Sequence, residues 1–91
     1  MITAPQLRAA RALLGLDQRQ LAELCGLSVP TIQRMEASDG TVRGTVDSLM
    51  KLIEALERSG IELISEGQTS GGGGRGVRLK SPPATSEPAL P

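Results

Sequence analysis

"LDQRQLAELCGLSVPTIQRME", residues 16–36, reads as two short helices joined at a glycine. Asp17 stands as an N-cap and Gln20, three residues on, closes a capping box. A helix therefore opens at Gln18, buries Leu21, Ala22 and Cys25, and stops at Gly26. Ser28 caps the next one. Pro30 comes early enough to remove only an N–H that has no partner in a first turn, while Ile32 and Met35 face inward as far as about Ala37. Helices this short do not hold alone, so their stability must come from packing.

The same punctuation extends outward. Thr3-Ala-Pro-Gln6 carries a cap, a tolerated proline and a box-closing Gln, predicting a helix from Ala4 with Leu7, Ala10, Leu13 and Leu14 on one face and Gly15 as its stop. After the loop "SDGTVRG", Thr45 and Asp47 begin the longest helix, Val46 to about Ser59, with Leu49, Ile53 and Leu56 inward and Met50 and Leu52 widening its apolar face. Beyond Gly60 the period changes to the alternation of strands: "IELIS" and "GVRLK" flank the flexible "EGQTSGGGGR". The closing "SPPATSEPALP" has no periodic apolar face. The fold class is thus mainly α: a four-helix domain over residues 1–59, a strand-linker-strand element over 60–80 and a disordered tail over 81–91.

Composition narrows the function. With 91 residues and no Phe, Tyr or Trp, the core is small and aliphatic, and aromatic platforms for single-stranded nucleic acid are excluded. Ten basic residues balance ten acidic ones, which counts against nonspecific, histone-like binding to a polyanion. No stretch reaches the length of a membrane span and the N-terminus is interrupted by Arg8 and Arg11, so the protein is expected to be cytoplasmic. One Cys and no His leave no internal disulfide, no usual zinc spacing and no apparent catalytic pair; no cofactor is implied. Cys25, on a buried stripe, reads as a small apolar filler. Gly71 to Gly74 lack the strand, helix and Lys-Ser/Thr pair of a phosphate loop and read as linker.

Two short helices meeting at Gly26, with Ala22 permitting close crossing and Leu27 and Ile32 as plugs, make a helix-turn-helix. In that arrangement the first helix braces on the DNA backbone and the second enters the major groove, so its outward side chains read sequence. "LGLDQRQLAELCGLSVPTIQRMEAS" resembles the helix-turn-helix of phage repressors and Cro and of the XRE-type bacterial regulators, over about residues 3 to 57. The matching features are Gln18, Leu21-Ala22, Gly26, Ser28, Ile32 and the pair Arg11 and Glu36. The resemblance implies that Gln18 contacts a phosphate and helps hold the recognition helix, that Val29, Pro30 and Arg34 face base edges, and that Thr31 meets a phosphate. It also implies a fifth helix, which this chain replaces by "GIELIS"; in that it resembles very short bacterial regulators ending in a Gly-rich stretch and "GVRL".

The candidate DNA-contacting residues are Gln18, Arg19, Ser28, Val29, Pro30, Thr31, Gln33, Arg34 and Arg43. Arg34 reads as a base contact against the alternative of a solvated charge, and Arg19 and Arg43 as phosphate contacts. Val29 and Pro30 either offer apolar contact to a thymine methyl or shape the helix start, the latter being preferred for Pro30. Arg11 and Glu36 are assigned a structural ion pair. The functional expectation is a regulator that binds double-stranded DNA as a homodimer on a two-fold operator. Dimerisation is assigned to the strands, with Ile61, Leu63, Val77 and Leu79 sharing a face packed on Met50 and Leu52; the alternative is a monomer with an unstructured tail. A second functional reading is an antitoxin-type interaction protein that covers a partner with its C-terminal strands and autoregulates through its helix-turn-helix.

Overall fold

The computed structural model describes residues 2–64 and 74–80; the tail expected over 81–91 and the linker glycines up to residue 73 lie outside the described residues. The chain runs α1 (Ala4–Leu14), α2 (Gln18–Cys25), α3 (Val29–Glu36), α4 (Val46–Arg58), β1 (Ile61–Ile64) and β2 (Gly76–Leu79). The mainly α fold predicted from the sequence, four helices and a short antiparallel strand pair, is the fold observed.

Local chemistry sets the helix ends. Thr3 and Asp17 each form a complete capping box with the Gln three residues on, and Ser28 and Thr45 cap α3 and α4 by accepting from Thr31 N and Ser48 N. Gly26 ends α2 at φ +71°, a left-handed conformation that a side chain disfavours, while the space a Cβ would occupy is open. Backbone geometry, not crowding, therefore calls for glycine at the turn.

Ile2, Leu7, Leu21, Ile32, Met35, Leu52, Leu56 and Ile61 are the largest fully buried side chains, with Ala4, Ala10, Ala22 and Ala55 in the core among them. Ile2 and Val42 join the core because Val42 N donates to Ile2 O at 3.0 Å and Ala4 N to Gly40 O at 2.8 Å, a bridge that fastens the loop after α3 to the chain's start.

Two inward stripes need correction. Leu13 is 45 % exposed, because two three-residue steps from Leu7 fall short of two full turns and carry it off the buried face. In α4 the buried residues are Leu52, Ala55 and Leu56, whereas Leu49 and Ile53 sit at the rim of that face. Helix α4 is thus rotated by roughly one residue from the predicted stripe. The rotation closes Leu52 inside the domain and leaves Val46 and Met50 outside.

The strands pair with Ile61 opposite Leu79 and Leu63 opposite Val77. Ile61 belongs to the core and Leu63 and Val77 pack against it. Ile61 and Leu52, both assigned to a dimer surface, are instead buried within the single chain; Met50 and Leu79 remain about half exposed.

Candidate nucleic-acid interface

The outer side of α3 is a polar row. Ser28, Thr31 and Arg34 follow at three-residue steps; the Ser28 and Thr31 hydroxyls lie 2.8 Å apart, and Arg34 Nη2 reaches Thr31 Oγ1 at 3.5 Å. Pro30, Gln33 and Arg34 are exposed, and Thr31 is half-buried. Val29 is half-buried and packs against the core, which gives it a structural job at the helix start. The inner side, Ile32 and Met35, is fully buried, so packing fixes which residues point out.

Packing alone leaves a two-turn helix free to pivot, and Glu36 removes that freedom. Its carboxylate is 5 % exposed and accepts from Arg11 Nε at 2.7 Å, Arg11 Nη2 at 3.1 Å and Gln18 Nε2 at 3.0 Å. Arg11 also donates to Leu16 O at 3.2 Å, and Arg8 donates to the main-chain carbonyl of Glu36. The end of α3 is thereby tied to α1 and to the first residue of α2. The hydrogen bonds that Arg11 donates to Glu36 raise the Arg11 pKa above its ordinary value, desolvation working the other way, so the guanidinium keeps its charge. Gln18 thus ties the start of α2 to the end of α3 through its side-chain amide.

Between α3 and the loop leading into α4 lies an open groove of about 610 Å³. Thr31 and Arg34 line one wall and Arg43, Thr45 and Ser48 the other, and among the described residues none that lines the groove is acidic. Gly44 belongs to this wall for lack of room: a Cβ there would stand 2.8 Å from Ser48 Oγ and 3.2 Å from Met35 Cε. Two guanidinium groups and several hydroxyls around this groove can donate to the oxygens of an anionic strand, and Gln33 is exposed beside Arg34 on the outer side of α3.

The structure brings Thr31, Arg34 and Arg43 together here and sends Gln18 to Glu36. Arg19 stands apart, 80 % exposed on α2 and 3.8 Å from Glu23 one turn away. Thr45 and Ser48 were legible only as the start of a helix, because their place on the groove depends on how the loop folds back.

A helix-turn-helix family model matches residues 7–63, and the chain belongs to that family, the XRE-type helix-turn-helix regulators. No curated protein matches the chain. The matched segment spans every element that lines the groove and the Arg11–Glu36 pair, so the protein is a DNA-binding transcription regulator of this type. Its family is one of DNA-binding regulators, not enzymes. Among the described residues, no helix is long and apolar enough to cross a membrane.

Proposed function

We propose that the protein binds a specific double-stranded operator as a homodimer and regulates transcription by occupying it. The observation that carries this reading is the pairing of an exposed Arg34 and Gln33 on a rigidly held α3 with Arg43 across the groove. Arg34 reads a base edge, with guanine the natural partner of a guanidinium; Arg43 and Thr31 hold phosphates. Pro30 shapes the start of α3.

One recognition helix of eight residues reads only a few base pairs, so a usable site needs two. The hairpin supplies a surface for the second copy. Lys80 N donates to Gly60 O, and this register points the backbone groups of Ile61, Leu63, Val77 and Leu79 away from the partner strand within the hairpin. Antiparallel pairing of two such edges about a two-fold axis is self-complementary and turns a marginal two-stranded unit into four strands, with the exposed Leu79 covered. Met50, half exposed on α4, adds apolar surface, while Leu63 and Val77 stiffen the strands from within.

Selection of bound fragments from genomic DNA, followed by titration of the selected site, tests the reading. The site should hold two inverted half-sites about 34 Å apart, and inserting half a turn of duplex between them should abolish tight binding. Arg34→Ala should cost about 1–3 kcal/mol and relax preference at one base pair, whereas Arg43→Ala should weaken all sequences alike. An Arg34→Ala protein that binds the selected site as the parent does overturns the base-reading assignment, and a single half-site footprint overturns the dimer.

A further inference from the structure

The two walls of the groove belong to different elements, and a single side chain joins them. Arg34 lies on α3; Arg43 lies beyond the turn "SDGTV", in a segment without helix or strand apart from the bridge at Thr41. Ser38 stands at the start of that segment, half-buried. Its hydroxyl donates to the main-chain carbonyl of Arg34 at 3.2 Å and accepts from the main-chain N–H of Arg43 at 3.3 Å. One oxygen thus uses its proton on the residue assigned to base reading and a lone pair on the residue assigned to phosphate binding.

We propose that Ser38 is a positioning residue for DNA binding: it fixes Arg43 relative to Arg34, and so sets the spacing between the phosphate contact and the base contact. This inference rests on the function proposed above and deepens it. Ser38 needs no contact with DNA. One of its bonds spans the five-residue step from Ser38 to Arg43 and the other reaches four residues back to Arg34, so together they hold the segment against α3 before the duplex arrives. An Arg side chain carried on a loop that must first be ordered contributes less to binding than one already in place, because ordering is then subtracted from the contact. The bridge between Val42 and Ile2 anchors the same segment from behind, which leaves Ser38 to control its front, where Arg43 begins.

The test is the salt dependence of operator binding by the full chain. Removing one phosphate interaction lowers the slope of log K against log salt concentration by roughly one. Ser38→Ala should bind the selected operator about tenfold more weakly and show that shallower slope, as Arg43→Ala does, while helical circular dichroism is unchanged. Ser38→Thr, which keeps the hydroxyl, should restore both. In the Arg43→Ala background, Ser38→Ala should cost nothing further, because a residue acting through Arg43 has nothing left to position. A Ser38→Ala protein with the parental slope overturns the assignment while the DNA-binding reading stands, and so does a loss that simply adds to that of Arg43→Ala. A parent that binds no duplex in a salt-dependent manner removes the proposed function, and this inference with it.

Discussion

Two polar side chains buried to the same extent, Glu36 and Gln6, fasten different elements to α1 by different chemistry. Glu36 only accepts: a charged carboxylate gathers donors from Arg11 and Gln18 where α1, α2 and α3 meet. Gln6 does both. Its Oε1 accepts from Thr3 N at 2.9 Å to complete the capping box of α1, and its Nε2 donates to Ile64 O at 3.1 Å and Gly76 O at 2.8 Å, where β1 ends and β2 begins. A carboxylate suits a point where several donors converge, and an amide suits one where a helix cap must also hold two strand carbonyls. Helix α3 is thus held by charge, which is costly to break, and the hairpin by neutral bonds, which are cheaper to release.

The largest expected effect comes from breaking the charged clasp. Arg11→Ala strands the Glu36 carboxylate in a site 5 % exposed and should cost roughly 3 kcal/mol in denaturant unfolding. The double replacement with Glu36→Ala should cost less than the sum of the singles, since no uncompensated charge then remains. Additive losses would show that the contrast between the two clasps is not one of charge.

An intermediate effect separates the two jobs of Gln6. Gln6→Glu keeps an oxygen for the capping box but sets a carboxylate against the carbonyls of Ile64 and Gly76, so α1 should stay capped while the hairpin lets go. The expected loss is about 2 kcal/mol. Amide exchange should locate it, with protection falling in β1 and β2 and surviving in α1. Equal loss of protection in both would mean that hairpin and helix open as one unit.

This contrast also explains what could be read from the sequence. The four helices and their ends were legible because each cap, from Thr3 and Gln6 to Thr45 and Ser48, lies within a few residues of what it satisfies. The convergence of Arg11 and Glu36 was legible through family resemblance, not through spacing. The second role of Gln6 was not legible, because its strand partners lie 58 and 70 residues away. The phase of α4 was missed for a related reason. Its apolar residues cover so wide an arc that the sequence admits more than one inward face, and the hairpin and α2 select Leu52, Ala55 and Leu56. Around the groove, Arg34 and Arg43 were legible as outward charges, whereas Ser38, Gly44 and Ser48 take their places only once the loop has folded onto α4.

The smallest effect concerns an ionisable group that has no clasp. Cys25 lies 5 % exposed on the inner face of α2, and burial pushes its thiol up from 9.0 to about 11, against a weaker downward pull from Arg58. The thiol stays protonated at neutral pH, which suits an apolar filler and keeps it unreactive as a nucleophile. Because the native state keeps a proton that the unfolded chain surrenders, the contribution to stability is complete below pH 9.0 and is lost as pH rises towards 11. At a pH midway between those values the loss is about 1 kcal/mol. The useful quantity is the difference between the parent and Cys25→Ala, in which every contribution other than that of the thiol cancels. The parent should lose stability faster than Cys25→Ala across this alkaline window, and native Cys25 should resist alkylation at neutral pH. Parallel stability profiles for the two proteins would show that Cys25 titrates as a solvated thiol and that the inner face of α2 admits water.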